Sequence, residues 1–475
     1  MKTYPLYLNG KFVTTQKTIR VVNPSSTEVF AEICTVDRAA VAQAVGDAHA
    51  AFPAWRALTG KARGDFLKKI ADELERRREE IARVITMENG KPLAQSMGEM
   101  AMTVDHLRWF AEEARRAYGR IIPQQADGKR HLVVKTPMGV VAAISPWNFP
   151  LVLAVRKIAP ALAAGNTVIL KPASATPICA ALFAECVDAA KLPKGVFQLA
   201  AGSAREIAQE FLDNPRCRKI TFTGSTEVGR SLIEGAAREI KPLSLELGGH
   251  APVIVFDDAD LDVAVEGAMI TKFRNTGQSC IASNRIYVQR GVYDKFLEKF
   301  AAQTRVLKTG DGFEEGVLVG PLINEDGLNK ALEHIHDAVK HGAKLLCGGK
   351  RMNRKGYFLE PTILADVPAA AACMTEETFA PVAPVCPFDS EDEIIERANQ
   401  SQYGLSAYAF TRDLKRAFKL MELLEAGTIG INDGVPTTSQ CPFGGVKQSG
   451  WGRELGIEGM DAFLETKHVS LGLGI

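Results

Sequence analysis

Cys280 closes the stretch GQSC (277–280) and is one of nine cysteines in 475 residues. It follows a glycine among small polar residues, whereas the other eight lie in apolar or basic stretches. A thiolate is an effective nucleophile near neutral pH, yet free cysteine is also among the most buried residue types. Cys280 alone is therefore either a nucleophile or a packing thiol. A covalent adduct would need a donor for its oxyanion and a base to resolve it. Asn148, in PWNFP (146–150), follows an apolar strand and is either a turn residue or a side-chain N–H donor. Glu246, in LELGG (245–249), sits between two leucines. It is either a base whose pKa an apolar setting raises or a core carboxylate paired with a basic residue. Arg156 lies eight residues after Asn148, and Arg274 six before Cys280. A guanidinium is a rigid fork that fits a carboxylate; the alternative for Arg274 is to complement a helix C-terminus.

These groups must be positioned by elements that the chain pattern indicates. Between about 139 and 235, apolar strands (GVVAAISPW, NTVILKPA, GVFQLA, KITFTGS) alternate with helices. That rhythm predicts a parallel sheet covered on both faces, a doubly wound nucleotide-binding architecture. Before it, residues 37–119 read as helices, one opened by Asp37 and one continuous through FLKKIADELERRREEIARVITMENG to an Asn-Gly stop. The mixed charges of ERRREE fit a solvated helix face. A second α/β stretch follows LELGGHAPVIVF and runs to about 440. The expected fold class is α/β, with a cofactor domain (1–118 and 138–247), a catalytic domain (248–440), and a small β oligomerisation segment (119–137 and 441–475). Lys171 ends a strand in ILKPAS (169–174), where ligands of such sheets gather. In FTGSTEVG (222–229), Gly224 and Ser225 open a helix whose N–H groups suit a pyrophosphate, although Gly-Ser-Thr is also an ordinary capping sequence.

Composition excludes several classes. Net charge is +1 with both signs interspersed, giving no case for nucleic acid or an anionic membrane as partner. No apolar run reaches bilayer length and no secretory signal opens the chain. Irregularly spaced cysteines without a CxxC pair point to reduced thiols in the cytoplasm and no zinc site. The acidic run 257–262 lacks EF-hand spacing and reads as helix capping, and His334 and His336 point in different directions on a helix, so no metal is expected.

PWNFP, ILKPAS, FTGSTEVG, LELGG, GQSC and EETFAPV (376–382), in this order, resemble the aldehyde dehydrogenase superfamily, nearest its succinate-semialdehyde dehydrogenase branch. The resemblance runs from LYLNGKF to CPFGGVKQSGWGRELG (441–456). It implies Cys280 as nucleophile, Asn148 with the Cys280 N–H as oxyanion donors, and Glu246 as the base that hydrolyses the thioester. It also implies cofactor contacts from Trp147, Lys171, Pro172, Ala173, Ser174, Gly224, Ser225, Leu247, Glu377 and Phe379. Ser174 stands where NAD-preferring relatives often carry Glu; removing that charge leaves Lys171 free for a 2′-phosphate, so NADP is expected, with NAD also accepted. Arg156, Arg274 and the hydroxyl of Thr438 match a site for the substrate carboxylate. The expected reaction oxidises succinate semialdehyde to succinate. Glutarate semialdehyde, α-ketoglutarate semialdehyde, and sulfonated or phosphonated aldehydes are alternatives. A coenzyme-A-acylating relative could dispense with Glu246, and a non-catalytic one with Cys280 or Glu246; both are present. Ala282 occupies the position where some relatives carry a second thiol, so no disulfide switch is expected there. The family forms dimers or tetramers through the hairpin and the C-terminal strand, so a homo-oligomer is expected.

Overall fold

The computed structural model describes residues 1–473. Its larger sheet has eight strands, in spatial order Gly450–Trp451, Leu243–Glu246, Cys217–Thr223, Val140–Ile144, Thr167–Lys171, Phe197–Leu199, Leu6–Leu8 and Lys11–Val13. The middle five run parallel. Val140–Ile144 and Thr167–Lys171 are buried at every residue, as strands covered on both faces must be. Helices Val152–Ala164, Ile178–Ala189, Ala204–Asp213 and Thr226–Ala236 connect them in turn. From Val140–Ile144 the chain steps outward twice, then returns to lay Cys217–Thr223 on the other side. Loops leaving these two strands diverge, and the crevice at their C-terminal ends is where doubly wound sheets bind ligands.

The second sheet has seven strands, in order Lys344–Cys347, Thr362–Ala365, Val382–Phe388, Ser283–Gln289, Ala251–Val255, Ser406–Phe410 and Thr428–Ile431. All pairs are parallel except the first. Loop residues just before three of its strands, at Gly248, Cys280 and Glu377, face the crevice of the first sheet.

Asp37 accepts the Ala40 N–H at 2.9 Å to open Arg38–Arg56, and Gly90, at φ 90°, ends Arg78–Asn89. The continuous helix expected through ERRREE is broken at Arg77, with Gly60–Arg76 before it. The Arg77 guanidinium bridges Glu80 and Glu185 at 2.7 and 2.8 Å.

The third sheet joins Arg120–Ile122 and Lys129–Pro137 to the tail strand Leu464–Gly472 within one chain, in register from Leu464↔Pro137 to Gly472↔Lys129. The described part of the C-terminal segment, 441–473, serves elsewhere too: Gly450 and Trp451 pair with Glu246 and Leu245, buttressing the strand that carries the candidate base. Among the described residues no helix is long and apolar enough to cross a membrane.

Candidate active site

Cys280 lies where two cavities meet. A cleft of about 660 Å3 is lined by Trp147, Asn148, Gly224, Ser225, Leu247, Glu377 and Phe379 together with Cys280. A narrower cavity on the other side is lined by Arg156, Arg274, Ser279, Thr437 and a set of apolar side chains, again with Cys280. The loop before Cys280 is unusual: Asn275 and Thr276 have φ of 52° and 59°, left-handed values that cost free energy in residues other than glycine. Asn275 is held there by two hydrogen bonds from its Nδ2, to the Asn148 carbonyl at 2.8 Å and the Gln278 carbonyl at 3.0 Å. Gly249 completes the seat, since a β-carbon there would stand 2.0 Å from the Cys280 carbonyl oxygen. Burial pushes the Cys280 thiol up to about 12, helped by Glu377 and Glu246 and opposed by Arg156. The resting group is thus a thiol, and it needs a base to become a nucleophile.

Asn148 is fixed through its backbone. Its carbonyl accepts the Lys91 ammonium at 2.7 Å. Lys91 in turn pairs with Glu99 at 2.7 Å, both side chains fully buried. The other Glu99 oxygen accepts the Leu151 and Val152 N–H groups at 3.0 and 3.2 Å, satisfying orphan donors at the start of Val152–Ala164. One Asn148 Nδ2 hydrogen goes to the Gln278 carbonyl at 3.1 Å; an amide carries two, which leaves the second for a ligand. Lys91, Glu99 and Asn275 escaped the sequence reading. Charged residues in mostly apolar elements, as Glu99 is in QSMGEMAMTV, were the available signal.

Glu246, at the end of its strand, is 4% exposed, and its Oε2 has no hydrogen-bond partner. Its other oxygen occupies space that Gly444 leaves open: a β-carbon there would lie 2.7 Å from Oε1. Glu246 is not among the residues that line either cavity. Burial holds its pKa well above the ordinary carboxylate range, Glu454 adds to the rise, and Lys157 opposes it. Lys157 is bound to Glu454 and to Thr223 Oγ1, the latter at 2.6 Å.

In the second cavity, neither Arg156 nor Arg274 has a carboxylate partner among the described residues. Arg274 directly follows the helix Leu261–Phe273 and its guanidinium lies over the Phe149 ring at 5.5 Å. The structure separates the two threonines. Thr438 Oγ1 is turned away, donating to Gln440 at 2.5 Å. Thr437 lines the cavity, and its hydroxyl is buried without a partner. An irregular loop has no periodicity to say which side chain faces inward, and Thr438, to which the sequence points, is not the neighbour that lines this cavity.

The first cleft has groups that fit a nicotinamide dinucleotide. Burial lowers the Lys171 pKa to about 8, and its ammonium has no hydrogen-bond partner among the described residues. Lys171 ends its strand, Pro172 and Ala173 follow, and none of the three lines either cavity. Ser174 lines a separate open groove with Lys17, Thr18, Thr35 and Ser203, whose lining includes no carboxylate, although Glu32 accepts the Thr18 hydroxyl at 3.1 Å. Ser225 caps Thr226–Ala236. The Gly224 N–H is already committed to the Glu246 carbonyl at 3.1 Å, so Gly224 offers space rather than the backbone donor expected of it. Leu247 packs against Gly229, where a β-carbon would stand 2.6 Å away. Trp147 and Phe379 meet edge to face at 5.4 Å, and Phe379 holds φ 54°. Glu377, raised to about 7 by burial, accepts only the Gly249 N–H, at 3.1 Å, among its carboxylate bonds. Its spare capacity suits ribose hydroxyls. Among the described residues no cluster could hold a metal ion.

The model of the aldehyde dehydrogenase family matches residues 12–469. The glutarate-semialdehyde dehydrogenase of Pseudomonas aeruginosa is 49% identical over 98% of this chain and 97% of its own length. The NADP(+) succinate-semialdehyde dehydrogenase of Escherichia coli is 47% identical over 98% of this chain and 97% of its own. The crystal structure of succinate-semialdehyde dehydrogenase from Burkholderia pseudomallei superposes with a TM-score of 0.98 at 43% identity, covering 99% of this chain and 98% of that one. Chemistry, architecture and similarity converge, and the chain belongs to the aldehyde dehydrogenase family.

Proposed function

We propose that this enzyme oxidises a short ω-semialdehyde bearing an anionic end to its carboxylic acid with NADP, succinate semialdehyde being the first candidate and glutarate semialdehyde the alternative. One observation carries the proposal: Cys280 shares a cavity with two guanidiniums that have no carboxylate partner among the described residues. Two uncompensated cations beside a nucleophile suit an aldehyde whose far end is an anion. The names of the Pseudomonas and Escherichia relatives support the same substrate class.

Glu246 takes the Cys280 proton, and the thiolate adds to the aldehyde carbon. The spare Asn148 N–H and the Cys280 backbone N–H, which has no protein acceptor among the described residues, stabilise the alkoxide. When bound, the nicotinamide dinucleotide supplies the hydride acceptor. Trp147, Glu377 and Phe379 would hold its nicotinamide end, and Lys171, Ser174 and Ser225 its phosphates and adenosine ribose. Once Glu246 has released the Cys280 proton to solvent, it deprotonates the water that attacks the thioester left on Cys280, then returns that proton to the departing thiolate as the acid is released. A neutral hydroxyl at Ser174, in a groove with Lys17 and no carboxylate in its lining, favours a 2′-phosphate, and NAD, lacking it, remains usable. We also assign the exposed sheet of hairpin and tail, with Tyr118 and Ile121 in solvent, to contact between copies of this chain, and the nine unpaired cysteines to a reducing, cytoplasmic setting.

The test is kcat/KM over anionic and neutral aldehydes with both nucleotides, in the wild type and Arg274→Ala. Succinate or glutarate semialdehyde should lead with NADP, and the variant should lose most on the anionic aldehydes. Equal rates with butanal, or acyl-CoA as product when coenzyme A is added, would overturn it.

A further inference from the structure

Behind the substrate cavity, three side chains form a directed hydrogen-bond chain ending on Arg156. Arg156 Nε donates to His106 Nε2 at 3.2 Å. His106 Nδ1 lies 2.7 Å from Ser439 Oγ, and the Ser439 hydroxyl bonds Asp105 Oδ2. The polarity follows from chemistry. A guanidinium has no acceptor and a carboxylate no donor. Asp105 therefore accepts from Ser439, Ser439 accepts from His106 Nδ1–H, and the free Nε2 lone pair of His106 accepts from Arg156. A protonated imidazole would aim an N–H at the guanidinium; burial and Arg156 keep His106 neutral, well below its ordinary range.

We propose that His106, oriented by Ser439 and Asp105, is a positioning residue that makes Arg156 the fixed anchor for the substrate anion. The inference rests on the function proposed above. Arg156 is gripped on its Nε edge by His106 and on its face by Phe443, whose ring centre lies 5.0 Å from the guanidinium carbon. Its two terminal nitrogens are left for the cavity. Arg274 shares the ring contact, with Phe149 at 5.5 Å, but has no comparable hydrogen bond: its contact is the Met102 thioether at 3.9 Å. The cavity thus pairs one fixed fork with one adaptable fork. A pre-oriented arginine loses less freedom when it binds an anion, so the chain acts on ground-state binding rather than on the chemical step.

KM and kcat for succinate semialdehyde and for butanal, its neutral counterpart, would be measured in four variants. They are His106→Phe, which keeps a ring but removes the acceptor; His106→Gln, which keeps an acceptor near Nε2; Ser439→Ala; and Arg156→Ala. Loss of one hydrogen bond to a charged group corresponds to roughly tenfold or more. His106→Phe should raise KM for succinate semialdehyde about tenfold relative to KM for butanal. His106→Gln should recover most of that loss, and Ser439→Ala should show a smaller shift in the same direction. If Arg156→Ala is selective for the anionic aldehyde while His106→Phe and Ser439→Ala shift both aldehydes equally, the positioning role falls and the proposed function stands. An Arg156→Ala variant without selectivity would overturn both. Should His106→Phe fail to fold, Ser439→Ala decides alone.

Discussion

Thr437→Val should cost this enzyme its anionic substrate, and Thr438→Val should not. Both changes replace a hydroxyl with a methyl of nearly equal volume, so packing is held constant. Thr437 Oγ1 is buried in the cavity wall with no partner, which is costly for a hydroxyl unless a ligand supplies the missing bond. A hydrogen bond to a charged group is worth about 1.5–3 kcal/mol. At about 1.4 kcal/mol per factor of ten, its loss lowers kcat/KM for succinate semialdehyde by roughly 10- to 150-fold. The ligand-free enzyme should gain stability at the same time, because Val removes an unsatisfied polar group, by up to about 1–3 kcal/mol. Thr438 Oγ1 bonds Gln440 instead, so its removal should leave kcat/KM within about twofold, as for a typical near-neutral site. The assay is NADPH formation at 340 nm with succinate semialdehyde and butanal, with thermal unfolding in parallel. Equal losses in the two variants, or a Thr437→Val loss as large for butanal as for the semialdehyde, would refute the assignment.

Two predictions concern pH. Glu246 has a raised pKa, so it keeps its proton to higher pH and base function is lost as pH falls through that raised value. The acid limb of kcat/KM should lie above the ordinary carboxylate range of about 4.3 and vanish in Glu246→Gln; a limb unchanged by the substitution would point to another base. Lys171 is lowered to about 8, so the free enzyme loses this cation above that pH. A bound 2′-phosphate raises the lysine pKa and must take up a proton, and NADP affinity should weaken by up to roughly tenfold per further pH unit. Fluorescence titration should show this slope for NADP and not for NAD, and Lys171→Met should flatten it; parallel slopes for both nucleotides would contradict a phosphate contact.

Much of this molecule was legible in its sequence. Unbroken apolar strands alternating with helices forecast a parallel sheet, since only strands covered on both faces lack alternation, and Val140–Ile144 and Thr167–Lys171 are buried at every residue. Strand ends likewise pointed to the crevice near Asn148 and Gly224, because ligands collect where connections diverge, whereas Cys280 was singled out by the family resemblance. Only the tertiary structure could turn Thr437 to the cavity and Thr438 to Gln440, or commit the Gly224 N–H to Glu246. It alone joined Glu99 to Lys91 under Asn148, and Ser439 to His106 across 333 residues of chain. Periodicity fixes the facing of a side chain within a helix or strand. In the loops that build this site, the facing is set by the partner each polar group finds after the chain has folded.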